Sequence, residues 1–245
     1  MILIDPSPAR EFLTGLSRMV AEPKAVLSVT AHWTTEMPTV SADPRPGTVC
    51  DFYGFPGDLY EITYPAPGSP EVARRVADLL GEAGINIETT TARGFDHGTW
   101  VPMKLAYPEA RIPTVEMSVQ PGRSAAQHYA LGRALALLRD EGVLILASGA
   151  ATHNVAEFMR SRSSAPAPWV TDFADWLHQA ISDWRIDDLL EFEKRAPEAR
   201  RNHPTPEHFL PFFVALGAAG PDGDGSRIHE SVDAGILAMD AYKFE

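Results

Sequence analysis

The sequence predicts an α/β fold: a single domain in which helices cover both faces of a central, largely parallel or mixed sheet. Apolar runs typical of buried strands alternate along the chain with amphipathic runs of helical period. No linker-like stretch or internal repeat divides the 245 residues, which are enough to bury a sizeable core. We therefore predict one domain over residues 1–245.

The first predicted elements are a helix, two strands and a loop. A helix is predicted over 8–20, where apolar residues recur on one face. The apolar run after it predicts a buried strand over 24–31, and a second strand is predicted over 37–42. Residues 45–68 are rich in Pro, Gly and aromatic side chains, which indicates a long ordered loop of the kind that often lines sites.

The middle of the chain repeats the alternation. Ser69 and Pro70 are typical of a helix start, which predicts a helix over 70–82. Alternating apolar residues predict a strand over 85–90. A short helix over 99–107 and a strand over 112–119 follow. This succession favours parallel strand pairing.

The last third is predicted to be mainly helical. An amphipathic helix over 124–140 leads into a fully apolar strand over 143–147. Beyond Ser148 and Gly149 the chain is predicted to become helical, with a loop over 161–168. These helices are expected over 170–182, 186–195 and 206–216.

Composition excludes several classes of function. The net charge of −12 argues against a nucleic-acid or anionic-membrane surface. Cys50 is the single cysteine, so neither an intrachain disulfide nor a cysteine-based zinc cluster can form. No apolar run reaches the length of a membrane span, and no secretory signal pattern is present. We expect a cytoplasmic protein that is a monomer or small homo-oligomer.

Histidines at the predicted edges of elements are the candidate functional residues. His32 follows the first apolar strand, His97 lies in a turn before a helix, and His153 follows the most apolar strand. His208 is placed in the first turn of the 206–216 helix, where the helix dipole would favour a neutral, metal-binding ring. The further candidates are His203 and His229, whereas His128 and His178 sit within helical patterns and are expected to be structural.

Imidazoles drawn from separate loops indicate a transition-metal centre without fixing the metal. The His-Glu-x-x-His pair of zinc proteases, the Gly-x-Ser-x-Gly elbow and the Walker loop are all missing from the sequence. Residues 217–220 are glycine-rich but follow a helix, which argues against dinucleotide binding. Arg93 and Arg227 are candidates for binding a substrate carboxylate, although a surface position is the stronger expectation for each.

Four segments carry a specific combination of motifs: Ser28-Val29-Thr30-Ala31-His32-Trp33, Asp96-His97-Gly98-Thr99-Trp100, Ser148-Gly149 with His153-Asn154, and His203-Pro204-Thr205-Pro206-Glu207-His208-Phe209. In this order, and over essentially the whole chain, they resemble the class III extradiol ring-cleavage dioxygenases. The resemblance is greatest to the branch that includes 4,5-DOPA dioxygenase-like proteins. It implies a single-domain α/β fold and one Fe(II) or Zn(II) ion per chain. It also implies cleavage of a small aromatic diol, beside its hydroxyls, with O2.

The resemblance also implies roles for individual residues. His32 and His208 match metal ligands, and His153 matches the general base, close enough to the metal to count as a third ligand. His97 matches a catalytic residue on the substrate side. His229 matches a substrate-pocket residue, although a purely structural role stays open for it. Trp33 is expected to wall the substrate pocket together with the aromatic loop.

The amino end departs from the family pattern. Members typically begin with a strand ending in His-Gly-Ser-Pro, and this chain starts where that motif would have ended. We therefore expect its first strand and first metal histidine to be missing. Either Met1 is an internal methionine mistaken for the start, or the polypeptide is short and metal-impaired. We expect the first, because losing a central strand would expose neighbouring strand edges.

Two other functions stay open at this point. One is a zinc-dependent hydrolase or lyase on the same scaffold, whose reaction would not depend on oxygen. The other is a metal-impaired homologue without catalysis.

Overall fold

The computed structural model describes residues 2–3, 6–54 and 56–245. At its centre is a five-stranded sheet whose strands are, in chain order, β1 (Ala25–Thr34), β2 (Thr39–Ser41), β3 (Glu88–Thr90), β4 (Thr114–Val119) and β5 (Val143–Ser148). Their spatial order is β3-β2-β4-β1-β5. β1 runs parallel to β4 and β5, whereas β2 is parallel to β3 and antiparallel to β4. The sheet is therefore mixed and mostly parallel, as predicted.

Helices surround this sheet. They are α1 (Pro8–Gly15), α2 (Pro70–Glu82), α3 (His97–Ala106), α4 (Ala125–Leu135), α5 (Leu137–Asp140), α6 (Val155–Arg160), α7 (Pro168–Ser182), α8 (Ile186–Leu190), α9 (Phe192–Arg195), α10 (Ala199–Asn202) and α11 (Leu210–Ala219). Short 3-10 turns span Leu16–Arg18 and Gly57–Glu61. None of the helices in the described part of the chain is long and apolar enough to cross a bilayer.

Alternation along β1 divides the interior into two cores, because successive side chains of a strand point to opposite faces. Leu27 and Val29 join a core formed with α2, α4, α7 and α11. Val26 joins the second core, where Trp100 of α3 and Phe95 pack. Helices therefore cover both faces of the sheet, and the fold is one α/β domain of the predicted kind.

Two predicted boundaries beside the histidines were wrong. The first strand continues through Thr34, so His32 and Trp33 lie within β1 and not after it. The backbone continues to pair there, since Thr34 is in register with Val119 of β4 even though the apolar run has ended. The helix predicted over 206–216 begins only at Leu210, with Pro211 in its first turn, so His208 lies in the turn before α11.

The prediction of an all-helical carboxyl-terminal region was also wrong. Four short strands occur there: β6 (Gly225–His229), β7 (Val232–Asp233), β8 (Leu237–Ala238) and β9 (Ala241–Phe244). β6 pairs with β9, and β7 pairs with β8, both antiparallel. Their residues are mostly half-buried and lack the clear alternation from which a strand is predicted. The expected loss of a strand at the amino end stays a prediction.

Candidate metal and catalytic site

Four histidine rings lie in a row near the carboxyl end of β1. The ring centroids of His97 and His32 are 3.8 Å apart, those of His32 and His208 are 4.9 Å apart, and those of His208 and His153 are 3.4 Å apart. The residues come from the start of α3, from β1, from the turn before α11 and from the loop after β5. We call these four residues the histidine cluster. The fold thus assembles in one place four side chains that are far apart in sequence.

A glycine allows His32 and His97 to approach each other. Gly98 lies in the first turn of α3, against β1. A Cβ atom there would lie 2.6 Å from Oγ1 of Thr30 and 3.1 Å from Cδ2 of His32. Asp96 caps the helix by accepting a hydrogen bond from the Gly98 N–H at 2.9 Å. The Asp96-His97-Gly98 sequence therefore starts α3 with its first turn pressed against the His32 side chain.

Asp51 contacts both histidines at this end of the row. Its Oδ1 accepts hydrogen bonds from the backbone N–H of His97 at 3.0 Å and from Nδ1 of the His97 ring at 2.8 Å. Its Oδ2 is 3.8 Å from Nδ1 of His32. Burial alone would raise the pKa of Asp51, but the hydrogen bonds from His97 outweigh it and lower that pKa to about 2. Asp51 is therefore a carboxylate at neutral pH.

A second carboxylate orients His208 at the other end. Oε1 of Glu207 is 3.0 Å from Nδ1 of the His208 ring and also accepts a hydrogen bond from the Thr205 hydroxyl at 2.9 Å. The carbonyl of His208 accepts the N–H of Ala150 at 2.9 Å, and a Cβ atom on Gly149 would overlap that carbonyl. With Nδ1 of His208 committed to Glu207, its Nε2 is the nitrogen left for an ion.

Burial keeps three rings of the histidine cluster neutral, those of His32, His153 and His208. Desolvation, followed by the nearby histidines, lowers the pKa of His208 to about 3. Desolvation and His97 lower the pKa of His32 to about 4, and desolvation lowers the pKa of His153. The helix-dipole explanation for His208 was wrong, since α11 begins after it. Neutral imidazole is the form that binds a metal.

Two sets of potential ligands occur within the row. His32, Asp51 and His97 form one set, and His153, Glu207 and His208 form the other; in each set the donor atoms lie within 4.8 Å of one another. Imidazole and carboxylate donors together suit Fe(II) and Zn(II). Each set therefore fits a divalent ion of this kind, and the two sets meet where the ring centroids of His32 and His208 lie 4.9 Å apart.

A buried ionic network lies behind His32 and His97. Arg93 donates hydrogen bonds to Asp96 at 2.6 Å and to Glu116 at 3.3 Å, and both carboxylate side chains are fully buried. Glu116 in turn accepts the N–H of Asp96 at 2.7 Å, and Asp96 accepts the Thr30 hydroxyl at 2.8 Å. Burial and the neighbouring Asp96 raise the pKa of Glu116 to about 8. Arg93 is thus committed to protein carboxylates, which disfavours a role in binding a substrate carboxylate.

Several other candidates lie outside the row. The His229 ring stacks on Phe12 at 4.7 Å, and its Nε2 lies 2.8 Å from the Ser231 hydroxyl. Trp33 packs under the Arg93 guanidinium, 5.1 Å from the ring centroid. Among the described residues, no ring contact joins His229 or Trp33 to the histidine cluster. Their roles in substrate binding stay predictions.

His203 and Arg227 are held by contacts elsewhere in the protein. His203 is buried, stacks on Phe209 and contacts the Ala151 carbonyl through Nε2 at 2.8 Å. Arg227 pairs with Asp240 and Glu230. The structure places both in packing and ion-pair roles.

Sequence reasoning missed Asp51 and gave no role to Glu207. The signal for Glu207 was available, because it stands directly beside His208 within the motif itself. For Asp51 the only signal was its place in a long, aromatic-rich loop of the kind that often lines sites.

Comparison with known proteins decides the family. The profile described as "Catalytic LigB subunit of aromatic ring-opening dioxygenase" matches residues 7–241. A 4,5-DOPA dioxygenase extradiol from Beta vulgaris is 43% identical over 247 aligned residues, which cover 100% of this chain and 92% of the relative. The chain belongs to this family.

Other members of this extradiol dioxygenase family agree. The 4,5-DOPA dioxygenase extradiol of Escherichia coli K12 is 36% identical, over 91% of this chain and 83% of its own length. A crystal structure of an uncharacterized protein from Escherichia coli K12 superposes with a TM-score of 0.82 at 33% identity, covering 98% of this chain and 93% of the other. The protein is an extradiol, aromatic ring-opening dioxygenase, and its metal dependence fits the family.

The lowered pKa values of the buried histidines should make the stability of this dioxygenase depend on pH. His32, His203 and His208 have folded-state pKa values of about 3 to 4 against an ordinary 6.5, so the unfolded chain binds more protons between those limits. Each of the three removes about 1.4 kcal/mol of stability per pH unit as the pH falls through that window. Glu116, whose pKa is raised, acts in the opposite direction between pH 8 and its ordinary 4.5. Three histidines oppose this single group, so the net effect is a loss of stability as the pH falls.

We therefore expect the free energy of unfolding of the metal-free protein to decrease from pH 7 to pH 5. Urea titrations at half-unit pH intervals measure it. The lowered pKa of Asp51 reduces stability only when the pH falls below the ordinary aspartate value of 3.8, which lies outside this window. Stability that is constant or higher at pH 5 would show that these histidines are not held neutral by the fold.

Proposed function

We propose that this chain opens the ring of a small catechol at one Fe(II) ion, bound by His32 and His208 with His153 beside them. When bound, the ion lowers the pKa of a coordinated substrate hydroxyl and provides the redox capacity that reaction with O2 requires. Zn(II) has no redox chemistry. We therefore assign Fe(II) to the active enzyme and Zn(II) to an inactive form.

The observation that carries the proposal is the stacking of His153 on His208 at 3.4 Å, with an interplanar angle of 10°. A neutral imidazole is thereby fixed beside a metal-ligand candidate. Its backbone N–H donates to the carbonyl of Asn202 at 2.9 Å, which anchors the loop after β5. Desolvation lowers the pKa of His153, so the ring is an unprotonated base at neutral pH. It takes a proton from one catechol hydroxyl and returns it during ring opening.

The remaining residues bind and orient the ring. His97 faces His32, and Phe52 contacts the His97 ring edge-on at 5.7 Å. We assign to His97 a hydrogen bond with a substrate hydroxyl. The aromatic loop around Phe52 supplies apolar surface that excludes water from the reacting ring. The names of the Beta vulgaris and Escherichia coli relatives make 4,5-cleavage of DOPA the first reaction to test.

The test is oxygen uptake by protein reconstituted with Fe(II) under anaerobic conditions. With DOPA and a panel of simpler catechols, we expect one O2 consumed per ring opened, and no product without O2. The Zn(II)-loaded protein is the matched control and should be inactive. Product formation that proceeds equally well without O2 would contradict the proposal and favour the hydrolase or lyase alternative.

A further inference from the structure

The carboxylate of Asp51 contacts the histidine cluster from a loop. It is half-buried and lies between the backbone N–H and the ring Nδ1 of His97, with distances of 3.0 Å and 2.8 Å to the same oxygen. Two donors of one residue thus converge on Oδ1. That arrangement fixes both the position of His97 at the start of α3 and the rotation of its ring.

A carboxylate paired with an imidazole nitrogen determines which ring nitrogen carries the proton. An ionised carboxylate only accepts hydrogen bonds, so Nδ1 of His97 must be the donor. In a neutral ring, Nε2 is then unprotonated and is an acceptor. Among the described residues, the hydrogen bonds of the His97 ring involve Nδ1 alone. Nε2 is therefore the nitrogen available to a ligand.

We propose that Asp51 is a positioning residue of the ring-opening reaction: it holds His97 as the Nδ1–H tautomer, so that Nε2 accepts a hydrogen bond from the substrate hydroxyl. The effect of Asp51 on catalysis rests on the function proposed above, whereas its effect on the tautomer of His97 does not. The tautomer is a property of the protein without metal or substrate. It can be measured whether or not turnover is observed.

Asp51→Leu is the decisive variant, because leucine has nearly the same shape and offers no oxygen to accept a hydrogen bond. Asparagine would not be decisive, since its amide oxygen can still accept from both the backbone N–H and Nδ1 of His97. In metal-free protein labelled with ¹⁵N-histidine, we expect the His97 resonances to show the Nδ1–H tautomer in the wild type and to lose that preference in Asp51→Leu. Asp58→Leu, an exposed change in the same loop, is the matched control and should leave the spectrum unchanged.

Measurements of kcat and KM separate a positioning role of Asp51 from a role in folding. Asp51→Leu should lower kcat by about 10²-fold or more with a smaller change in KM, as expected when an aspartate that fixes a histidine tautomer is lost. Asp51→Glu, which keeps the carboxylate, should restore the Nδ1–H tautomer and part of kcat. An unchanged tautomer in Asp51→Leu, or kcat within twofold of wild type, would overturn the proposal. A wild-type protein that opens no catechol would instead refute the proposed function, with the tautomer still deciding the role of Asp51.

Discussion

Replacing His153 by alanine should reduce ring opening by about 10²- to 10⁴-fold, the usual contribution of a general base. The stacked pair of His153 and His208 places an imidazole with a lowered pKa beside the proposed ion. His32 and His208 are unchanged in this variant, so the ion should stay bound. The measurements are kcat with the Fe(II) enzyme and the iron content of the same sample.

A matched control is His178→Ala, which removes a histidine from the exposed side of α7 and should leave both quantities at wild-type levels. If His153→Ala retains turnover within twofold of wild type, His153 is not the base. If it loses iron as well as turnover, His153 acts mainly as a ligand, which the family resemblance also allows.

The second large effect concerns folding. Arg93→Met should lower the free energy of unfolding by about 3–5 kcal/mol, because it leaves the buried Asp96 carboxylate without its counter-charge and removes a hydrogen bond to the buried Glu116 side chain. Urea unfolding measures the change. Arg111→Met is the matched control: Arg111 is 80% exposed in its ion pair, and its loss should change stability by no more than about 0.5 kcal/mol.

A double variant identifies the cause. Arg93→Met combined with Asp96→Asn removes the buried charge while keeping a side-chain oxygen that caps α3, and should recover part of the lost stability if unpaired charge is the reason for the loss. A double variant no more stable than Arg93→Met alone would instead attribute the effect to packing. A loss below 1 kcal/mol in Arg93→Met would show that the network contributes little to the fold.

The sequence predicted best where local signals agreed with the tertiary structure. Ser69 caps α2 and Pro70 opens it, and the observed helix ends at Glu82 as predicted. Ser124 forms the capping box of α4, but the single predicted helix over 124–140 is divided at Ala136. The helix over 8–20 gives way to a 3-10 turn after Gly15. Such interruptions depend on packing, which periodicity does not encode.

The site was predictable only through its histidines. His32, His97, His153 and His208 were identified by their places at element edges and by family resemblance, and the fold brings them together. Asp51 was missed because its hydrogen bonds with His97 join residues 46 positions apart, and a carboxylate in a loop carries no local sign of its partner. Pro206 suggested the wrong helix start, since Pro211 is the proline that occupies the first turn of α11.

The central claim is that the histidine cluster binds one shared ion, and metal affinity tests it most directly. Titration with Fe(II) under anaerobic conditions, or with Zn(II), should give one ion per chain for the wild type. His32→Ala and His208→Ala should each weaken binding by at least about tenfold, since even residues that only support ligands contribute that much. His178→Ala should bind as the wild type does. Wild-type affinity and stoichiometry in both His32→Ala and His208→Ala would contradict the account.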